Sequence, residues 1–109
     1  MNTDVISNIK KVASSVLPAH GSLILFGSRA RGDANSDSDW DLLILLDKAK
    51  LTKDDYDTVA YPLREVGWEF GQNINPVMYT KKQWESYSFT PFYKNVEHDK
   101  LVIVTGTAT

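Results

Sequence analysis

The segment that decides the fold runs from residue 22 to residue 46 and reads SLILF GSRARG DANSDSD WDLLILL. Its first and last parts, Ser22–Phe26 and Trp40–Leu46, are short apolar runs, which are typical of strands buried on both faces of a sheet. Gly27 ends the first run, and small polar residues separate it from the second. The sequence therefore predicts two neighbouring strands joined by a tight turn and a polar loop.

Two carboxylates stand at the start of the second predicted strand. Asp39 and Asp41 are two positions apart, so their side chains leave one face of the strand while Trp40 points to the other. Asp41 directly precedes an apolar run, where an unpaired charge is costly. Oxygen ligands of this type suit Mg²⁺ or Mn²⁺, so the pair is a predicted metal site. The alternative is a solvated turn formed by Asp37, Ser38 and Asp39.

The turn between the two strands is a predicted phosphate site. Gly27 lets the backbone approach a ligand closely, and the segment from Ser28 onward can begin a helical turn whose backbone N–H groups point outward. The Ser28 hydroxyl adds a donor, and Arg29 or Arg31 could place a guanidinium against phosphates. The alternative is an ordinary tight turn whose arginines pair with neighbouring aspartates.

Hydrophobic periodicity and capping residues predict the remaining elements. We expect amphipathic or short helices over residues 3–17, 53–70, 81–87 and 91–98, and strands over residues 74–79 and 101–104. Pro62 should kink or interrupt the second of these helices, because it lacks a backbone N–H. Residues 105–109 form a small polar tail that we expect to fray.

Length and composition indicate one globular domain, residues 1–109. The chain has 109 residues and is 42% hydrophobic, enough for a single core but not for a second domain. A net charge of −2 argues against an extended nucleic-acid-binding face. The lack of cysteine excludes disulfides and thiolate zinc sites, and it favours a cytoplasmic location. No apolar run approaches the roughly 20 residues that a bilayer span requires, so we expect no membrane partner.

The motif as a whole resembles that of a known superfamily. Gly27-Ser28-x-Ala30-Arg31-Gly32 followed by Ser38-Asp39-x-Asp41-Leu42 is similar to the glycine-serine and paired-aspartate motif of DNA polymerase beta-like nucleotidyltransferases. The match is closest to their minimal nucleotidyltransferase (MNT) family. This resemblance implies an α+β fold, with a small mixed β-sheet flanked by helices, like the polymerase beta palm.

The resemblance also implies an activity and its residues. Members of this family transfer a nucleoside monophosphate from a nucleoside triphosphate to an acceptor, and we expect ATP as the donor here. Asp39 and Asp41 match the residues that bind Mg²⁺ (or Mn²⁺) and carry the catalysis. Gly27 and Ser28 match the triphosphate cradle, and Arg31 is a further candidate contact to the nucleotide.

Partners are implied in the same way. Small stand-alone members of the family often accompany a HEPN-domain protein in toxin–antitoxin pairs, and some modify that partner with AMP. A domain this short also leaves little surface to grip an acceptor while it holds a nucleotide. We therefore expect a partner protein, with a HEPN-domain protein as the leading candidate, or self-association into an oligomer.

The chain departs from the family pattern at one position. Active members carry a third acidic residue on the next strand, where this sequence has Asn75. An amide carries no negative charge and cannot act as general base. Glu69 is the one nearby carboxylate in the sequence that could substitute, and the favoured alternative is that Glu69 is a solvated charge at the end of its helix. Two hypotheses stay open at this stage: a working nucleotidyltransferase, and a nucleotide- or partner-binding module that has lost efficient chemistry.

Overall fold

The computed structural model describes the chain from residue 2 to residue 106, with side chains from residue 5 onward. It confirms the predicted α+β fold with a small mixed sheet. The elements in chain order are α1 (Asn2–Val16), β1 (Ser22–Phe26), α2 (Ser28–Arg31), β2 (Trp40–Leu46), α3 (Lys53–Asp55), a π-helical turn (Tyr56–Ala60), α4 (Tyr61–Phe70), β3 (Ile74–Thr80), α5 (Lys81–Ser86), α6 (Pro91–Asp99) and β4 (Leu101–Thr105).

The four strands form one sheet in the order β3-β2-β1-β4. β1 runs antiparallel to both β2 and β4, whereas β2 and β3 are parallel. The end of β1 and the beginnings of β2 and β3 therefore meet at one edge of the sheet. This edge carries every residue that the sequence assigns to the metal and phosphate sites.

The main core lies between one face of the sheet and the helices α1 and α4. Leu23, Leu42 and Ile44 project from β1 and β2 and are fully buried against Ile9 of α1 and Leu63 of α4. Burying a side chain of this size stabilises the fold by about 1.5–3 kcal/mol. This packing fixes the position of the two central strands, and with them the edge of the sheet that carries the predicted site residues.

The opposite face of the sheet is covered by α5 and α6. Ile24 and Leu43 pack there against Trp84 of α5 and Val96 of α6. The indole N–H of Trp84 donates to the carboxylate of Glu97 at 3.1 Å, which satisfies its one polar group. The sequence places β1 and β2 as strands buried on both faces, and the two cores confirm that prediction.

The helical segment before β3 is interrupted earlier than Pro62. The sequence predicts one helix over residues 53–70, but the structure has a π-helical turn from Tyr56 to Ala60 between α3 and α4. Pro62 has no N–H to donate, and its ring crowds the carbonyl four residues back. The chain accommodates it by widening the preceding turn, and the Tyr61 N–H donates to the Tyr56 carbonyl.

The last strand extends further than the sequence indicates. Thr105 falls in the tail that we expected to fray, yet it pairs with Ser22, and the Gly106 N–H donates to the Gly21 carbonyl at 2.7 Å. Backbone pairing with β1 needs no apolar side chain, so the hydrophobic pattern of the sequence does not predict that Thr105 belongs to the strand. The remainder of the predicted tail, residues 107–109, lies outside the described part. No helix within residues 2–106 is long and apolar enough to cross a bilayer.

A reciprocal cap begins the helical segment that leads to α4. The Asp55 N–H donates to the Thr52 hydroxyl at 3.4 Å, and the Thr52 N–H donates to the Asp55 carboxylate at 2.8 Å. The Lys48 ammonium reaches the same carboxylate at 2.7 Å. Burial raises the pKa of Asp55, but the hydrogen bonds from Lys48 and Thr52 outweigh it and hold this pKa below its ordinary value.

We expect Asp55→Asn to lower the free energy of unfolding at neutral pH by about 1 kcal/mol, the usual size of a lost cap. Because folding depresses the pKa of Asp55, its stabilisation is present above the ordinary pKa and is lost as the pH falls through the lower folded value. Urea unfolding from neutral pH down to about pH 2 measures this dependence.

Asp54→Asn is the matched control, because it removes a charge from the same first turn without touching the cap. The difference between Asp55→Asn and the wild type should shrink in acid. A difference that persists unchanged at low pH would contradict this account of the cap.

Candidate functional site

The pairing register brings the predicted site residues together. Phe26, the last residue of β1, pairs with Asp41 in β2, and Asp41 pairs with Asn75 in β3. Gly27 directly follows Phe26, so the turn and the carboxylate pair lie side by side at this edge. The sequence prediction that the two features occupy the ends of neighbouring strands is confirmed.

The two aspartates face the same side of β2. The Asn75 amide donates to Oδ2 of Asp39 at 3.0 Å and lies opposite Asp41, whereas Trp40 between the aspartates is buried in the main core. Asp39 is exposed, and Asp41 is partly buried. Burial raises the pKa of Asp41 and the nearby charge of Asp39 adds to the increase, while the Asn75 amide and the charge of Arg31 oppose it. The two carboxylates are thus close enough to interact electrostatically.

Asn75, which the sequence pattern assigns to the third acidic position of the family, lies opposite Asp41 in the β2–β3 register. Its equivalence to that acidic position stays a prediction. Within the described residues, no group of three or more acidic, histidine or cysteine side chains is placed to hold a metal ion. Glu69, the suggested substitute, is exposed on α4 and joins no such group.

The turn at Gly27 depends on a backbone conformation that only glycine adopts readily. Gly27 has φ 76° and ψ −160°, and its carbonyl accepts the N–H groups of Ala30 and Arg31, both at 3.0 Å. A Cβ atom at this position would lie 2.5 Å from Oδ2 of Asp41. Glycine therefore serves two needs at once, the sharp turn into α2 and the close approach of the Asp41 carboxylate.

Arg29 braces the turn instead of facing open space. Its Nε and Nη2 donate to the Ser38 carbonyl at 3.3 and 2.9 Å, and Nη2 also reaches Oε1 of Gln72 at 3.3 Å. The guanidinium carbon lies 4.4 Å from the centroid of the Trp40 ring, in the geometry of a cation–π contact. Arg29 thereby ties α2 to the residue that precedes Asp39.

Arg31 is held by two other aspartates. It donates to Asp33 at 3.2 Å and to Asp99, at the end of α6, at 2.8 Å. The ion pair with Asp33 is what an ordinary turn would show. The positive charge of Arg31 also acts on Asp41, where it opposes the rise in the pKa of that group. Contact between Arg31 and a nucleotide stays a prediction.

Two residues at this edge escaped the sequence analysis. Gln72 accepts hydrogen bonds from Arg29 and from the Trp40 indole, the latter at 3.3 Å, and Asn73 donates to Oδ1 of Asp39 at 3.0 Å. Asn73 and Asn75 are two residues apart at the beginning of β3, as Asp39 and Asp41 are at the beginning of β2. The same two-residue spacing occurs in both segments of the sequence. It predicts a contact between them only when the parallel pairing of β2 and β3 is known.

Two clefts in the described part of the chain lie at opposite ends of β2. A cleft of about 260 Å³ lies beside the turn and is lined by Arg29, Gly32, Ala34 and Trp40. A larger one of about 450 Å³ lies at the far end of β2 and β3 and is lined by Asp47, Lys48, Ala49, Lys81, Lys82 and Glu85. Of these two, the smaller cleft adjoins the predicted site residues.

We expect Gly27→Ala to cost more free energy of unfolding than Gly32→Ala. Gly32, with φ 84° and ψ 11°, is in the left-handed helical region, where a Cβ costs about 1–2 kcal/mol. Gly27, with φ 76° and ψ −160°, is in a region populated almost only by glycine, so its backbone cost should be at least as large. Only at position 27 does the new methyl group meet a side chain, because no described atom lies within 4 Å of a Cβ built at position 32. Urea unfolding should give a difference of more than about 1 kcal/mol between the variants, and equal costs would contradict the close approach of Asp41.

Comparison with known proteins agrees with this arrangement. A family model described as a nucleotidyltransferase domain matches residues 6–104. A crystal structure described as a toxin–antitoxin with AMP-PNP has a TM-score of 0.65 and 20% identity, covering 94% of this chain and 73% of the other. A candidate nucleotidyltransferase from Sulfolobus solfataricus, solved at 1.40 Å, has a TM-score of 0.55 and 20% identity, covering 94% and 86%. No curated protein sequence matches the chain.

At this level of identity the two solved structures are evidence of a shared fold. The family model goes further, because it spans almost the whole chain, including both strands and the turn that carry the predicted site. The chain therefore belongs to the nucleotidyltransferase domain family, in agreement with its resemblance to the minimal nucleotidyltransferases.

Proposed function

We propose that this protein transfers a nucleoside monophosphate from a nucleoside triphosphate, bound with Mg²⁺ or Mn²⁺, to an acceptor. One observation carries the proposal: the Asp39/Asp41 pair and the Gly27–Ser28 turn meet at the same edge of the sheet. Transfer of a phosphoryl-type group requires accurate positioning and neutralisation of developing charge. A cation site beside a phosphate-binding turn would supply both.

The donor set at this edge fits a hard divalent cation. Burial raises the pKa of Asp41, and the charge of Asp39 adds to that increase, so two carboxylates converge where they repel each other. Mg²⁺ in proteins commonly uses one or two carboxylates and leaves its other positions to water and substrate phosphates. Held by Asp39 and Asp41, such an ion would neutralise phosphate charge and polarise the reacting phosphoryl group.

The turn supplies donors for the phosphates. The N–H groups of Ser28 and Arg29 precede the first intrahelical bonds of α2, which Ala30 and Arg31 donate to the Gly27 carbonyl. A phosphate placed there would receive backbone hydrogen bonds next to the carboxylate pair. The Arg31 side chain, which is 45% exposed, is the nearest candidate to add positive charge.

The proposed step is a displacement at the α-phosphorus. An acceptor oxygen forms a bond to this phosphorus while the bond from the phosphorus to the α–β bridging oxygen breaks, and pyrophosphate leaves with the bridging oxygen. The acceptor gives up its proton. Because the Asn75 amide cannot take that proton, it passes to water or to a basic group that the acceptor itself brings.

We further propose ATP as the donor and a partner protein as the acceptor. The support is the structural neighbour described as a toxin–antitoxin with AMP-PNP, an adenine nucleotide analogue. A HEPN-domain protein is the leading candidate for the partner, on the resemblance to minimal nucleotidyltransferases. A partner would also supply the acceptor surface that so short a domain has little room to provide.

A second candidate function is a nucleotide- or partner-binding module without efficient transfer. The observation that favours it is Asn75, which stands opposite Asp41 in place of a carboxylate. Such a module would keep the phosphate turn and the two aspartates but would lack a base for the acceptor proton. The two candidates differ in one measurable outcome, the appearance of a covalently labelled product.

The proposal is tested by incubating the protein with α-³²P nucleoside triphosphates, Mg²⁺ or Mn²⁺, and a cell extract. The measurement is the transfer of label to the proteins, nucleic acids and small molecules of the extract. We expect label from ATP in a protein, and loss of at least about 100-fold in rate with Asp39→Asn or Asp41→Asn, because each removes one charge from the cation site. Asp37→Asn is the matched control, since it alters an exposed carboxylate two residues before Asp39.

Each outcome separates the candidates. Label with the wild type and Asp37→Asn, but not with the other two variants, supports transfer by this site. Label that persists in Asp39→Asn and Asp41→Asn sinks the proposal. Measurable binding of Mg²⁺–ATP without any labelled product favours the binding module.

A further inference from the structure

Two asparagines at the beginning of β3 hold both carboxylate oxygens of Asp39, the residue that precedes β2. The Asn73 amide donates to Oδ1 of Asp39 at 3.0 Å, and the Asn75 amide donates to Oδ2 at 3.0 Å. Asn75 also lies opposite Asp41 in the register, where its amide opposes the rise in the pKa of Asp41. The Asp39 carboxylate is therefore held from the β3 side by two amides.

The backbone reinforces this arrangement. The Trp40 N–H, between the two aspartates, donates to the Asn73 carbonyl at 2.9 Å. Asn73 therefore makes two hydrogen bonds to this segment: its carbonyl accepts from the Trp40 N–H, and its side-chain amide donates to Asp39. Rotation of the Asp39 carboxylate would break at least one amide hydrogen bond, so the amides restrict its orientation.

We infer that Asn73 and Asn75 are positioning residues, which orient the Asp39 carboxylate beside Asp41 for the divalent cation before it binds. This inference rests on the proposed metal site. Each carboxylate oxygen has lone pairs to spare, so an oxygen that accepts one amide hydrogen bond can still coordinate a cation. Neutral amides perform this task without adding a third negative charge, which would repel the two carboxylates in the absence of metal.

Asn75 thereby contributes to the metal site although it is not acidic. A third carboxylate would increase the charge of the site, whereas an amide donor fixes the carboxylates already there. Asn73 has the same role, and its side chain is exposed and contributes little to the core. Partners that orient metal ligands typically change metal affinity by 10- to 100-fold when they are removed.

The experiment is titration of the purified protein with Mn²⁺ alone, followed by the electron paramagnetic resonance signal of free Mn²⁺. We expect Asn73→Ala and Asn75→Ala each to weaken Mn²⁺ binding by about 10-fold. Asn95→Ala is the matched control, because Asn95 is an exposed asparagine on α6. Unlike Asn73 and Asn75 it does not donate to Asp39, so this variant should bind Mn²⁺ as the wild type does. Asp39→Asn should lose the site.

Thermal unfolding in EDTA separates positioning from a structural role. We expect the melting temperatures of Asn73→Ala and wild type to agree within about 3 °C, since the lost hydrogen bond is exposed. Unchanged Mn²⁺ affinity in both variants, equal weakening in Asn95→Ala, or a folded wild type that binds no Mn²⁺ at millimolar concentrations would each overturn the inference. Normal Mn²⁺ behaviour without nucleotide transfer would leave it standing and count only against the proposed enzymatic function.

Discussion

The register of β2 between β1 and β3 is the constraint on which the rest of this structure depends. Antiparallel pairing sets Phe26, and hence the Gly27 turn, beside Asp41, while parallel pairing sets Asn75 on the other side. A shift of one residue would turn Asp39 and Asp41 toward the main core and Trp40 toward the face that α5 and α6 cover. The buried side chains on both faces of β2 exclude that shift, so the core determines the position of the polar edge.

That edge concentrates groups that are unfavourable on their own. The turn at Gly27 requires a backbone conformation that is open almost only to glycine, and Asp41 is partly buried beside a second carboxylate. The amides of Asn73 and Asn75 and the bracing contacts of Arg29 offset part of this cost. A bound cation and its nucleotide would offset more of it, which is consistent with a site that is organised in advance and completed by its ligands.

Much of this arrangement could be predicted from sequence, because it follows from local patterns. The apolar run of Trp40–Leu46 defines its own strand, and the spacing of two puts Asp39 and Asp41 on one face. The bracing role of Arg29 and the contact of Asn73 could not be predicted, since both depend on residues that are distant in sequence. The π-helical turn before Pro62 and the pairing of Thr105 depend on tertiary fit, which periodicity does not report.

The most direct test of the central claim is a crystal structure with Mn²⁺ and a non-hydrolysable nucleoside triphosphate, in which anomalous scattering locates the ion. Our account predicts an ion about 2.0–2.2 Å from carboxylate oxygens of both Asp39 and Asp41, with phosphate oxygens at the Ser28 N–H. An ion elsewhere, for example in the larger cleft between Asp47 and Glu85, with no phosphate at the Gly27–Ser28 turn, would contradict it.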